Sequence, residues 1–117
     1  MSPTARTLAK LRQSGWVAEV VEKTIPRINI KKDLFNCIDI IAIRENRPVL
    51  AIQATTMDHR MERVRKSESL DSTKVWLSTG SRFQVWCWRR LKSGWTLHRT
   101  DFYLQDGNIG YGEFNEA

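Results

Sequence analysis

The chain is poor in the residues that staple small proteins together. Its only two cysteines, Cys37 and Cys87, stand 50 positions apart inside apolar strand-like runs, with no CxxC pair and no His/Cys cluster. That argues against a disulfide framework and against a zinc site, and leaves two buried free thiols. The two histidines, His59 and His98, have no partner at metal-ligand spacing, so they are expected at the solvent or against phosphate. No run approaches the ~18 apolar residues of a membrane helix, and the segment from Met1 to Lys10 lacks an apolar h-region. These absences read as a cytoplasmic, soluble protein with no membrane partner. There is no internal repeat and no low-complexity segment, and no cation follows Arg99.

What is present is a core and a charge surplus. Of 117 residues, 41% are apolar and five are Trp, enough for one domain that buries roughly two thirds of its unfolded surface. The net charge is +6. It is unevenly spread, because residues 1 to 100 hold nineteen cations against nine acids, whereas Asp101, Asp106, Glu113 and Glu116 face none. The pattern predicts a folded basic domain over 1–104, a loosely ordered acidic tail over 105–117, and a polyanionic partner such as nucleic acid.

Periodicity orders the chain. Ser2-Pro3 signals a helix start, and Ala5, Leu8, Ala9 and Leu11 recur at helical spacing up to Ser14-Gly15. Residues 16–23 read as a first strand carrying Glu19 and Glu22, and 24–36 as a basic loop with Pro26, Arg27, Lys31 and Lys32. Residues 37–44 and 49–55 are apolar on both faces except at Asp39 and Gln53, and the 45–48 turn makes them a hairpin covered on both sides. Met57, Met61 and Val64 predict a helix over 57–69 with Arg60, Arg63, Arg65 and Lys66 outward. Residues 75–78 read as a short strand, and 82–90 with 96–104 as a second hairpin.

A carboxylate in a two-sided apolar strand needs a partner, because an unpaired buried charge is costly. Asp39 and Gln53, brought together by the 45–48 turn, form either one polar site or a structural hydrogen bond that pins register. Asp33 either joins such a site or caps the turn entering the strand. Glu22 either joins it or faces solvent on an edge. Thr55-Thr56 also reads as the cap of the following helix.

The helix ending in Gly15-Trp16, the strand after it, Asp33-Leu34-Phe35 ahead of Cys37-Ile38-Asp39-Ile40-Ile41, and Val49-Leu50-Ala51-Ile52-Gln53-Ala54-Thr55 resemble the PD-(D/E)XK nuclease core. That superfamily includes restriction endonucleases, Holliday junction resolvases and VRR-NUC proteins; small phage and bacterial members are the nearest in pattern. The resemblance spans roughly residues 5 to 80. It implies an α/β, restriction endonuclease-like mixed sheet flanked by helices, with an α-β-β-β-α-β core that the C-terminal hairpin extends. It implies Mg²⁺ or Mn²⁺ held by Asp39, Gln53, the Ala54 carbonyl and Glu22. Thr55 stands where the family has its lysine, so Lys32, or else Lys23 or Lys31, is the expected stand-in.

Residues 82–100 interleave Arg82, Arg89, Arg90, Lys92 and Arg99 with Trp86, Trp88 and Trp95. Alternation puts Phe83, Val85 and Cys87 on one strand face and Trp86 and Trp88 on the other. Those two rings stack on unpaired bases, form a homodimer interface, or cover a helix of the same domain. With Arg27, Lys31, Arg60 and Arg63, the arginines of this hairpin are the expected nucleic-acid contacts. The resulting reading is a metal-dependent DNA nuclease with a degenerate site, and a homodimer is common at this size. Its rivals are a nuclease-fold binding module without competent catalysis and a homo-oligomeric interaction protein.

Overall fold

A computed structural model describes residues 1–115. Helix α1 (Pro3–Gln13) starts where the sequence predicts, with the Ser2 hydroxyl accepting from the Ala5 N–H at 3.1 Å, and Gly15 at φ +92° turns the chain back. The strands follow as β1 (Val17–Val20), β2 (Lys23–Ile25), β3 (Ile30–Lys32), β4 (Ile40–Ile43) and β5 (Leu50–Thr56). A 3-10 turn over Met57–His59 leads into α2 (Arg60–Ser69) and α3 (Asp71–Ser78). Then come β6 (Arg82–Leu91), β7 (Gly94–Gln105) and β8 (Asn108–Glu113).

Six of the strands form one mixed sheet in the order β1-β4-β5-β6-β7-β8, while β2 and β3 pair only with each other. β5 and β6 are parallel, as the helical crossover between them requires, and every other pairing is antiparallel. The result is an α/β domain. Its core is split by the sheet. Leu11 of α1 packs on Ala18, Ile40, Ala42, Leu50, Ile52, Trp86 and Trp88, and Val64 of α2 lies in the opposite cluster with Ala51, Phe83, Val85, Cys87 and Phe102. Successive residues of β5 and β6 therefore enter different cores, which is why both runs read as apolar without alternation. Phe83 meets Phe102 edge to face with centroids 4.9 Å apart, and burying such a ring contributes roughly 1.5–3 kcal/mol. Cys37 and Cys87 are free and buried. No helix among the described residues is long and apolar enough to cross a membrane.

Three expectations are corrected. Residues 75–78 are helical, because Leu70, Thr73, Trp76 and Leu77 form the inward face at spacings of three, three and one, leaving Val75 63% exposed; four apolar residues alone cannot tell strand from helix. The segment read as a basic loop holds the β2–β3 hairpin, which turns at Asn29 with φ +50°. Part of the expected acidic tail is β8. Asp106 and Gly107, both at positive φ, make the two-residue turn that joins Gln105 to Asn108, and Asp-Gly is a strong hairpin signal. The Tyr103 ring covers Gly110 so closely that an added Cβ would lie 2.4 Å from it, so β8 carries glycine there. Residues 116 and 117 of that tail lie outside the described residues. Of the three roles open to Trp86 and Trp88, the structure shows the last: both pack with α1 of their own domain and are only 4% and 8% exposed, so the nucleic-acid contact expected of them is not made by these rings.

Candidate metal centre

β4 and β5 pair with Ile40 opposite Ile52, so one step further along the register Asp39 stands opposite Gln53. The Asp39 N–H donates to the Ile52 carbonyl at 2.9 Å, which carries the ladder up to the carboxylate. The Val21 N–H reaches the Asp39 carbonyl at 2.8 Å, beyond the last β1–β4 pair. The chain then leaves the sheet through Glu22, runs out along β2, and returns along β3 to Asp33. Asp33 comes from the segment read from sequence as a loop, and Glu22, read as part of the first strand, stands just past the end of β1. Glu22, Asp33 and Asp39 each offer a carboxylate oxygen, and these atoms lie within 4.8 Å of one another.

The centre is electrostatically loaded. Asp39 is 5% exposed, and its carboxyl is pushed up to about 8, first by burial, then by the hydrogen bond it shares with Asp33 and by the charges of Asp33 and Glu22. The Ala54 N–H, donating to Asp39 Oδ2 at 2.9 Å, pulls the other way. Lys31 Nζ lies 3.9 Å from Glu22 Oε1. Thr4, Lys31, Arg63 and Lys66 join the acids, Gln53 and Ala54 around a depression of about 290 Å³. Arg63 and Lys66 were expected on the outer face of α2. They flank the buried Val64 and Ser67, and that face of the helix leans over the carboxylates.

Three site expectations change. Gln53 reaches the centre, but its amide is committed elsewhere: Nε2 donates to Asp33 Oδ2 at 3.2 Å and Oε1 accepts from Ser67 Oγ at 3.3 Å. It holds Asp33 in place and does not turn its oxygen toward a metal. Thr55 is buried beside Cys87 in the sheet register and does not line the depression. Nor does its neighbour cap the next turn in the expected way, since the Thr56 hydroxyl goes to the Asp58 carboxylate. Lys32 points away from the centre, into a separate hollow beside Lys23 and Leu34, because alternate residues of β3 face opposite ways and Lys31 takes the inward place. Lys66 was not foreseen; a cation three residues after Arg63 on a helix following the second motif strand was its only sequence signal.

Ser67→Ala leaves the buried Gln53 oxygen without its donor. It is expected to destabilise the protein by about 1–3 kcal/mol in urea unfolding, and to weaken divalent-cation affinity about 10- to 100-fold by titration, as loss of a ligand's hydrogen-bonded support does.

The expected nucleic-acid contacts divide. Arg27 is exposed in the β2–β3 turn, and Arg89 and Arg90 are exposed at the end of β6. Arg60 is tied to Thr100 Oγ1 at 3.0 Å and Arg82 to Asp101 Oδ1 at 3.1 Å, so these two brace the sheet. The Trp88 indole donates to Thr7 Oγ1 and that of Trp86 to Gln84 Oε1, both at 2.9 Å. Comparison of the chain with protein families, with curated proteins and with solved structures finds no match.

Proposed function

We propose that the protein is a metal-dependent nuclease that hydrolyses phosphodiester bonds in DNA, built on a restriction endonuclease-like core. The observation that carries this reading is the convergence of Glu22, Asp33 and Asp39 beneath a rim of Lys31, Arg63 and Lys66. The element order supports it: without the β2–β3 excursion, the chain runs α1, β1, β4, β5, helices, β6, which is α-β-β-β-α-β. The donor set fits a hard divalent cation, because it consists of carboxylate oxygens with no thiolate or imidazole, and the mutual repulsion of three gathered carboxylates is what such an ion would relieve. Asp39, Glu22 and Asp33 would hold Mg²⁺ or Mn²⁺. When bound, the ion neutralises charge developing on a phosphate and lowers the pKa of an attacking water.

The protein's own groups divide the remaining work. Lys31, Arg63 and Lys66 supply the positive charge that draws in and orients a phosphate, a task for which the buried Thr55 has no charge. Gln53 fixes Asp33, and the Ala54 N–H fixes Asp39. One subunit carries one centre and a duplex needs two cuts, so a homodimer belongs to the proposal.

The test is incubation with linear, single-stranded and four-way-junction DNA in Mg²⁺ or Mn²⁺. Cleavage is expected to need the ion and to fall about 10³-fold in Asp39→Ala, the several kcal/mol that a metal ion contributes. No cleavage of any substrate, with salt-sensitive DNA binding that survives Asp39→Ala, would leave the binding module instead.

A further inference from the structure

The parallel strands β5 and β6 end side by side, and open α/β sheets commonly bind ligands beyond the carboxyl ends of such strands. The carboxylate centre lies a little back along β5, beside Gln53 and Ala54. Beyond the strand ends is a second depression, of about 440 Å³, lined by Met57, Trp88, Trp95, Arg89 and Arg90. Its volume is that of a small-ligand pocket. The first two turns of α1 connect the two, since Thr4 lines the carboxylate centre while the Arg6 guanidinium lies 3.9 Å over the Trp95 ring.

Trp95 differs from its buried neighbours. It is 38% exposed, although Arg6 holds one face and Arg90 stands 5.9 Å from its centroid. The groove's acid, Asp58, is engaged by the Thr56 hydroxyl and lies 3.7 Å from His59 Nε2. The groove thus offers an apolar lining, one indole held by cations, and two exposed arginines, Arg89 and Arg90, at its edge. An aromatic platform flanked by arginines is how proteins hold unpaired bases and the phosphates joined to them.

We propose that this groove takes an unpaired nucleobase, stacked on Trp95 with its phosphates on Arg89 and Arg90, so that the substrate is single-stranded or frayed where it meets the carboxylate centre. The proposal deepens the nuclease reading and rests on it for the order of the two sites, but binding alone tests it. Anisotropy of a labelled oligothymidylate and of a duplex of equal length, both in EDTA, provides the measurement. Trp95→Ala is expected to weaken single-strand binding about 5- to 100-fold and duplex binding less than twofold, with Trp95→Phe retaining most of the affinity. Arg89→Ala and Arg90→Ala are expected to weaken both and to flatten the salt dependence. If Trp95→Ala does not fold, Trp95→Leu removes the ring while keeping apolar bulk. Single-strand affinity unchanged in Trp95→Ala and Trp95→Leu, or lost in them equally for duplex, overturns the proposal. So does a wild-type dimer in sedimentation that Trp95→Ala dissociates, since a second copy would then fill the groove. Because no divalent ion is present, a negative result here leaves cleavage untouched, and absence of cleavage leaves this binding site untouched.

Discussion

Asp39→Asn is expected to make the protein more stable as pH rises while removing its grip on a divalent cation. The folded protein holds the Asp39 carboxyl at about 8 against an ordinary 3.8, chiefly through burial and through Asp33. Between those values the folded state keeps a proton that the unfolded chain has released. The unfolded state then binds fewer protons, so unfolding free energy falls as pH rises from about 4 and levels off above about 8. Asparagine has the same shape, still accepts from the Ala54 N–H, and carries no charge. Variant and wild type should therefore match near pH 4. They should diverge by up to about 1.4 kcal/mol per pH unit, reaching a few kcal/mol at neutral pH in urea titrations. A gap that stays flat across this range would show that Asp39 is not held protonated.

The proposed metal centre places a second demand on the same group. A cation held by the three carboxylates would stabilise the folded chain by about 2.7 kcal/mol at a hundred times its Kd, roughly a 10 °C rise in melting temperature for a domain of this size. Mn²⁺ is expected to give that rise in the wild type at pH 8 and almost none in Asp39→Asn. On the proposed reading, stability without metal and function with it make opposite demands on one side chain, as is common where charges are gathered for a ligand.

How much of this was legible in the chain depends on the distance over which each residue's partner lies. The pairing of Asp39 with Gln53 was readable because a four-residue turn separates their strands and period-two register does the rest. Glu22 and Asp33 were candidates only, because they reach the centre through the β2–β3 excursion, whose exposed strands have no apolar pattern to announce them. Gln53 was placed correctly, and of the two roles open to it the structure shows hydrogen bonding, to Asp33 and Ser67. Sequence offers no way to learn that Ser67, fourteen residues on, takes its oxygen. Arg63 and Lys66 looked outward because an amphipathic helix shows which face is buried but not what stands beside its flanks. β8 differs in kind: Asp106-Gly107 is a local hairpin signal that stands within an acidic composition pointing the other way.

Trp88→Ala is expected to lower stability by about 3–5 kcal/mol, a large share of the whole for a single domain, and to lower the melting temperature by roughly 12–20 °C. The ring lies between the sheet and α1, the helix that covers this face of the core, and its indole N–H is bonded to the fully buried Thr7. Truncation removes the packing and the donor together. Trp88→Phe keeps most of the packing, so it should lose only about 1 kcal/mol, the net worth of one hydrogen bond. Because the contact joins α1 to the sheet, the loss should be local before it is global. Hydrogen exchange is expected to show α1 amides losing protection while β4, β5 and β6 keep theirs. Trp95→Ala removes only the stacking of Arg6 on a partly exposed ring, so it should loosen no more than the start of α1 and lower the melting temperature far less than Trp88→Ala. The two tryptophans therefore separate stability from recognition. If Trp88→Ala melted like the wild type and lost nucleic-acid binding, the buried ring would be the one that meets the base, and the division of labour drawn from exposure would be reversed.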